Sequence, residues 1–197
     1  MRNTSPLLLE TIKIEDGEVS NLSYHQSRCN ESRKALFSST DILDLSSIIQ
    51  APPKGLYRCR ILYNKKIHSI EYIPYTPKEI HILKIVSSDL EYTYKYANRD
   101  ALNKLLLSQP DGDDILIEKH GYITDTSIAN IAFYDGKQWF TPEKPLLKGT
   151  IRAKLLDEGV LHTRKIKRED IKNYTQVALM NAMTGFKVLN IDPSQIR

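Results

Sequence analysis

The chain has 197 residues, 41% hydrophobic and 26% charged, with 28 Lys and Arg against 24 Asp and Glu. That length suits one large domain or two small ones. The net charge of +4 comes from scattered cations, and the densest run, Arg164 to Arg168, is broken by Ile166, so the basic stripe of a nucleic-acid platform is missing and no nucleic-acid partner is expected.

Two cysteines, Cys29 and Cys59, are too few and too far apart for a zinc motif or a disulfide framework, which points to a reduced, cytoplasmic chain with no metal site. Leu7 to Leu9 runs straight into Glu10, and no stretch reaches signal or transmembrane length, so no membrane segment is expected.

In chain order, LLLETIKIEDGEVSNLS reads as two strands around an Asp16-Gly17 turn. YHQSRCNESRKALF lacks Gly and Pro and reads as a helix with His25, Arg28, Ser32 and Leu36 along one side. An arginine on that line is either a cation at the border of a core face or a residue aimed at a ligand. Residues 56–73 alternate around Asn64-Lys65 as a second hairpin, and PYTPKE, 74–79, reads as the linker between two domains.

EIHILKIVSSDLEYTY is strand-like, and YKYANRDALNKLL leads from Lys95 into an amphipathic helix through Leu107, ended by Pro110-Asp111-Gly112. Three alternating runs follow, broken at His120-Gly121 and Asp135-Gly136, as a meander of antiparallel strands. In LLKGTIRAKLLDEGV a glycine opens a helix, and QVALMNAMTGFKVLNI reads as strand, turn and strand.

Several chemistries are excluded. The sequence has no G-x-G-x-x-G, P-loop, H-E-x-x-H or G-x-S-x-G motif, and its five histidines do not cluster at metal-ligand spacing. What is left is an anion site: the amides of Thr150 and Ile151 open a helix after Gly149, where free N–H groups and the helix dipole suit a phosphate.

Six pieces in order then resemble one family. E-T-I-K-I-E-D-G (10–17), H-Q-S-R (25–28), Y-K-Y-A-N-R (94–99), G-Y-I-T-D-T-S-I-A-N (121–130), T-P (141–142) and G-T-I-R (149–152) are similar to the hairpin, H-x-x-R helix, lysine segment, G-x-V-T-E-x-x-x-x-N strand and phosphate turn of the class IV aminotransferases. These enzymes use pyridoxal 5'-phosphate (PLP). The resemblance implies an α/β (α+β) two-domain fold like that of D-amino-acid aminotransferase. It places a small N-terminal α/β domain at 1–74 and a C-terminal PLP-lysine domain with a barrel-like sheet at 75–197. Relatives are homodimers, which implies a homodimer here, and the implied substrate is a small molecule.

Carried across, the resemblance makes Lys95 the catalytic lysine that links covalently to PLP and moves protons at the substrate carbon. Arg28, Thr150 and Ile151 would hold the phosphate, and Asp125 would face the pyridine nitrogen. Asn130 matches the family's asparagine as an architectural residue. Two departures stand out: the family's acid is a glutamate, one methylene longer than Asp125, and nine residues precede Glu10 where relatives carry an extra strand and a D-R-G-x-x-x-G-D-G segment. Leu9 stands where relatives often have an aromatic pocket residue.

Within the family, Lys95, Asn98 and Arg99, together with Met180-Asn181-Ala182-Met183, look more like the aminodeoxychorismate lyases than the branched-chain enzymes. The expected activity is release of pyruvate from aminodeoxychorismate to leave 4-aminobenzoate for folate synthesis, with Arg99 as either a carboxylate ligand or a helix-surface residue. The alternatives are a branched-chain or D-amino-acid transaminase and a PLP-binding protein with little turnover.

Overall fold

The computed structural model describes residues 5–197, so the part of the expected N-terminal domain that falls on residues 1–4 lies outside the described residues. The chain forms two compact units. The first holds the described residues through Pro77 and also takes in Tyr94–Asn98; the second holds Lys78–Thr93 and Arg99–Arg197. Lys95 therefore packs with the first unit, although the chain reaches it only after entering the second.

The first unit is a four-stranded antiparallel sheet in the order β2-β1-β3-β4, formed by β1 (Leu8–Glu15), β2 (Glu18–Val19), β3 (Leu56–Tyr63) and β4 (Ile67–Pro74). Its first turn forms because Asp16 (φ 48°) and Gly17 (φ 86°) both take left-handed backbone, the geometry that lets a two-residue loop follow the sheet twist. Along β1, Leu8, Ile12 and Ile14 alternate onto one buried face. Helix α1 (Leu22–Phe37) covers that face with Cys29 and Phe37, and Leu45 of the short α2 (Leu45–Ile48) joins them. Each such buried aliphatic or aromatic side chain contributes about 1.5–3 kcal/mol.

The buried line of α1 runs through His25, Cys29, Ser32, Arg33 and Phe37, so Arg28 and Leu36 stand at its border rather than on its centre. Arg33 is fully buried because its guanidinium donates to the carbonyls of Asp41 (2.8 Å) and Lys65 (2.7 Å) and to the Asp41 carboxylate.

In the second unit, β5 (Leu83–Ser87) leads to α3 (Asp100–Leu107). There follow β6 (Asp114–Lys119), β7 (Tyr122–Thr126), β8 (Asn130–Tyr134) and β9 (Trp139–Pro142), then α4 (Thr150–Asp157), β10 (Leu161–Arg164), β11 (Gln176–Asn181) and β12 (Gly185–Val188). The sheet order is β10-β9-β8-β7-β6-β5, with β11 on β8 and β12 on β11. The predicted meander is β6 to β9, all antiparallel, while β5 joins β6 and β10 joins β9 in parallel. The result is a barrel-like sheet that does not close, with β5 and β10 at its two ends. Ile131 and Phe133 of β8, Val177 and Leu179 of β11 and Leu116 of β6 form its core.

Candidate active site

In the first unit a carboxylate sits where an aliphatic residue belongs. Glu10 lies between Leu8 and Ile12 on the core face of β1 and is fully buried. Two side chains one turn apart on α1 reach it. His25 Nδ1 donates to Oε2 at 2.6 Å, and Arg28 holds the carboxylate in a two-pronged contact, Nε to Oε1 at 2.9 Å and Nη2 to Oε2. Burial alone would raise the Glu10 pKa; the charge of Arg28 and the hydrogen bond from His25 overcome this and hold it at about 2.

An ionised Glu10 fixes the tautomer of His25, which carries its proton on Nδ1. The imidazole is buried, and burial, helped by the nearby cations Arg28 and Lys95, depresses its pKa against the pull of Glu10. Lys95 is brought to this cluster by backbone pairing. The Leu9 amide donates to the Lys95 carbonyl (2.8 Å), Ala97 donates to Leu7 (2.9 Å), and Leu8 bridges to Tyr96. Two of the predicted residues, Arg28 and Lys95, thus share a neighbourhood with His25 around Glu10. Glu10 opens the first of the six family-like segments, yet that resemblance assigns it no role; the signal that marks it is its place in the row Leu8, Glu10, Ile12, Ile14.

In the second unit Asp125 is buried in the middle of the sheet, and each carboxylate oxygen already accepts one bond. Asn130 Nδ2 donates to Oδ1 at 2.7 Å, and the Leu147 amide donates to Oδ2 at 2.8 Å. Burial raises the Asp125 pKa to about 6, and those bonds and the charge of Arg152 only partly oppose it. Two residues beyond Leu147 comes Gly149, the N-cap of α4, so the Thr150 and Ile151 amides occupy the first turn, where no intrahelical acceptor exists. Arg152, in the next position, turns inward and donates to the Pro142 carbonyl (2.9 Å), tying the G-T-I-R turn to the T-P strand.

Other predicted residues have local partners. Arg99 donates to the Ser127 carbonyl at 2.7 Å, in the second unit. Asn181 closes the turn between β11 and β12, its Oδ1 accepting from the amides of Met183 and Thr184, both at 2.9 Å. A cavity of about 330 Å³ in the second unit is lined by Lys119, Tyr122, Leu146, Arg164 and Ile166 among others, and by none of Asp125, Thr150 or Ile151.

Residues 7–191 match the family model described as amino-transferase class IV. An uncharacterised protein of Haemophilus influenzae is 40% identical over 184 residues, which span 90% of this chain and 98% of that one. The crystal structure of a candidate 4-amino-4-deoxychorismate lyase from Haemophilus somnus 129PT superposes with a TM-score of 0.82 at 37% identity, covering 91% of this chain and 97% of that one. A candidate aminodeoxychorismate lyase of Schizosaccharomyces pombe is 34% identical over 89 residues, a segment spanning 42% of this chain and 38% of that protein. With nearly its whole length matched by one family model and by a relative of the same size and fold, the chain belongs to the class IV aminotransferases, a family of PLP-dependent enzymes.

Proposed function

We propose that the chain binds PLP and releases pyruvate from 4-amino-4-deoxychorismate, leaving 4-aminobenzoate. The observation that carries this reading is the similarity over more than nine-tenths of the chain to the candidate lyase of Haemophilus somnus. The donor set supports the cofactor. The first unit offers an amine, Lys95, and a guanidinium, Arg28, whose Nε and Nη2 donate to Glu10. The second unit offers two helix-opening amides and a buried carboxylate, Asp125.

Lys95 is then the residue that links to the cofactor aldehyde. By the family resemblance, Arg28 of the first unit and the Thr150 and Ile151 amides of the second would be the phosphate ligands, and Asp125 would serve the ring nitrogen. When bound, PLP supplies an electron sink for the carbon that bears the substrate amine. Lys95, its amine freed by the substrate, takes the proton from that carbon. The carbon–oxygen bond to the enolpyruvyl group breaks as the ring becomes aromatic. Lys95 returns the proton to the methylene carbon of the leaving enolpyruvate, which becomes pyruvate. No water or oxidant enters, so atoms and electrons balance.

Folate synthesis in the cytoplasm by a homodimer is the setting this reading implies, supported by the family resemblance. Among the described residues no helix is long and apolar enough to cross a membrane.

Purified protein should be yellow, and borohydride followed by peptide mapping should place a pyridoxyl group on Lys95. Supplied with aminodeoxychorismate, it should yield 4-aminobenzoate and pyruvate in equal amounts. A colourless protein that PLP cannot reconstitute defeats the cofactor assignment. Conversion to the pyridoxamine form by D- or L-amino acids, without 4-aminobenzoate, makes it a transaminase instead. A yellow protein that does neither is a binding protein.

A further inference from the structure

We propose that Asn130 is a positioning residue that locks the acid Asp125 to the turn opening α4, so that one frame holds the carboxylate and the phosphate amides at a fixed spacing. This rests on the roles proposed above for Asp125, Thr150 and Ile151.

Asn130 opens β8 directly opposite Asp125, the one register pair between β7 and β8. Its side chain is buried, and both hydrogens of its amide are used: one on Asp125 Oδ1 (2.7 Å), the other on the Leu147 carbonyl (2.8 Å). Leu147 closes the circuit by donating its own amide to Asp125 Oδ2 (2.8 Å). Every donor in this ring of three residues has an acceptor, and a fully satisfied buried network holds one geometry.

The third atom of the Asn130 amide explains a glycine. Gly149 has φ −71° and ψ 147°, backbone that any residue adopts, so the turn itself does not call for glycine. A Cβ at that position would lie 2.0 Å from Asn130 Oδ1. Glycine is there because Asn130 fills the space of a side chain. The asparagine therefore touches both the acid and the residue before Thr150, and it fixes how far apart they stand.

Such a lock matters most to a ligand that uses both ends at once. Two contacts held at the right spacing act as one, whereas loosened contacts each cost ordering when they bind. A ligand that lacks the phosphate gains nothing from the spacing.

The test titrates cofactor-free protein with PLP and with pyridoxal, which lacks the phosphate, following absorbance and melting temperature. Asn130→Ala should lower the preference for PLP over pyridoxal at least tenfold. Gly149→Ala should do the same in the wild-type background, yet change the ratio less than twofold when Asn130 is already alanine, because the collision is gone. If both ligands weaken in equal proportion and the ratio holds, Asn130 is structural and the proposal is overturned. Should Asn130→Ala not fold, Asn130→Ser retains one donor and must still lower the ratio at least threefold; an unchanged ratio overturns the proposal equally. Wild-type protein with no preference for PLP, and no pyridoxyl group on Lys95 after borohydride, defeats the functional reading and this proposal with it. A wild-type preference that survives in the variants defeats the proposal alone.

Discussion

Glu10 and Asp125 are both fully buried carboxylates, and burial pushes each toward the protonated form, yet they end on opposite sides of their ordinary values. Glu10 has a cation in two-pronged contact and an imidazole N–H on its second oxygen; Asp125 is held by an amide side chain, a backbone N–H and the less direct charge of Arg152. A full charge in contact defeats desolvation, and neutral dipoles only soften it. Glu10 is therefore expected to stay ionised down to about pH 2, with Arg28 dependent on it. Removing one partner of a buried pair costs about 3–5 kcal/mol because the other is left uncompensated. Glu10→Ala should lose that much in urea unfolding of cofactor-free protein. Glu10→Gln should lose less, since its carbonyl still accepts from Arg28 Nε. A loss under about 1 kcal/mol for the alanine variant, the level of an exposed pair, would mean that water enters and solvates Arg28.

At the scale of elements, legibility followed the range of the contacts. The Asp16-Gly17 and His120-Gly121 turns were readable because two adjacent residues with positive φ define each hairpin locally. The opening of α4 at Gly149 was readable from its glycine, although the reason for that glycine lay in Asn130, nineteen residues earlier in the chain. β10 escaped because Leu-His-Thr-Arg has one buried residue and pairs in parallel through a strand already spoken for by the meander. Lys95 was legible as a motif, but its surroundings were not, since its segment pairs with residues 7–9, more than eighty positions away. That pairing is open to test. Ala97→Pro removes the amide that donates to Leu7, an interaction worth about 1 kcal/mol. Exchange of the Leu9 amide, which donates to the Lys95 carbonyl, should then quicken about five- to tenfold. Unchanged exchange at Leu9 would show that the lysine segment is held by its side chains and not by this edge.

For the molecule as a whole, the two buried acids give its units opposite responses to pH. Glu10, with its pKa lowered from 4.5 to about 2, stabilises the first unit above pH 4.5, and that contribution is lost as pH falls through 2. Asp125, raised from 3.8 to about 6, behaves the other way: its contribution to the second unit is complete below pH 3.8 and is lost as pH rises through 6. The whole shift of Asp125 weakens the second unit by about 3 kcal/mol, about 2 kcal/mol of it between pH 4 and 6, because each pH unit between its unfolded and folded pKa is worth roughly 1.4 kcal/mol. Glu10 leaves the first unit nearly level above pH 4.5. Native-state hydrogen exchange on cofactor-free protein separates the two, because β1 and β7 report on different units. After correction for the intrinsic pH dependence of exchange, protection in β7 should fall across this range while β1 gains, because the depressed pKa of buried His25 makes the first unit more stable as pH rises toward 6.5. Asp125→Asn, which cannot ionise, should flatten the β7 response. A wild-type β7 that keeps its protection from pH 4 to 6 would mean that Asp125 ionises without cost, and so that water or a cation reaches the carboxylate that the sheet encloses.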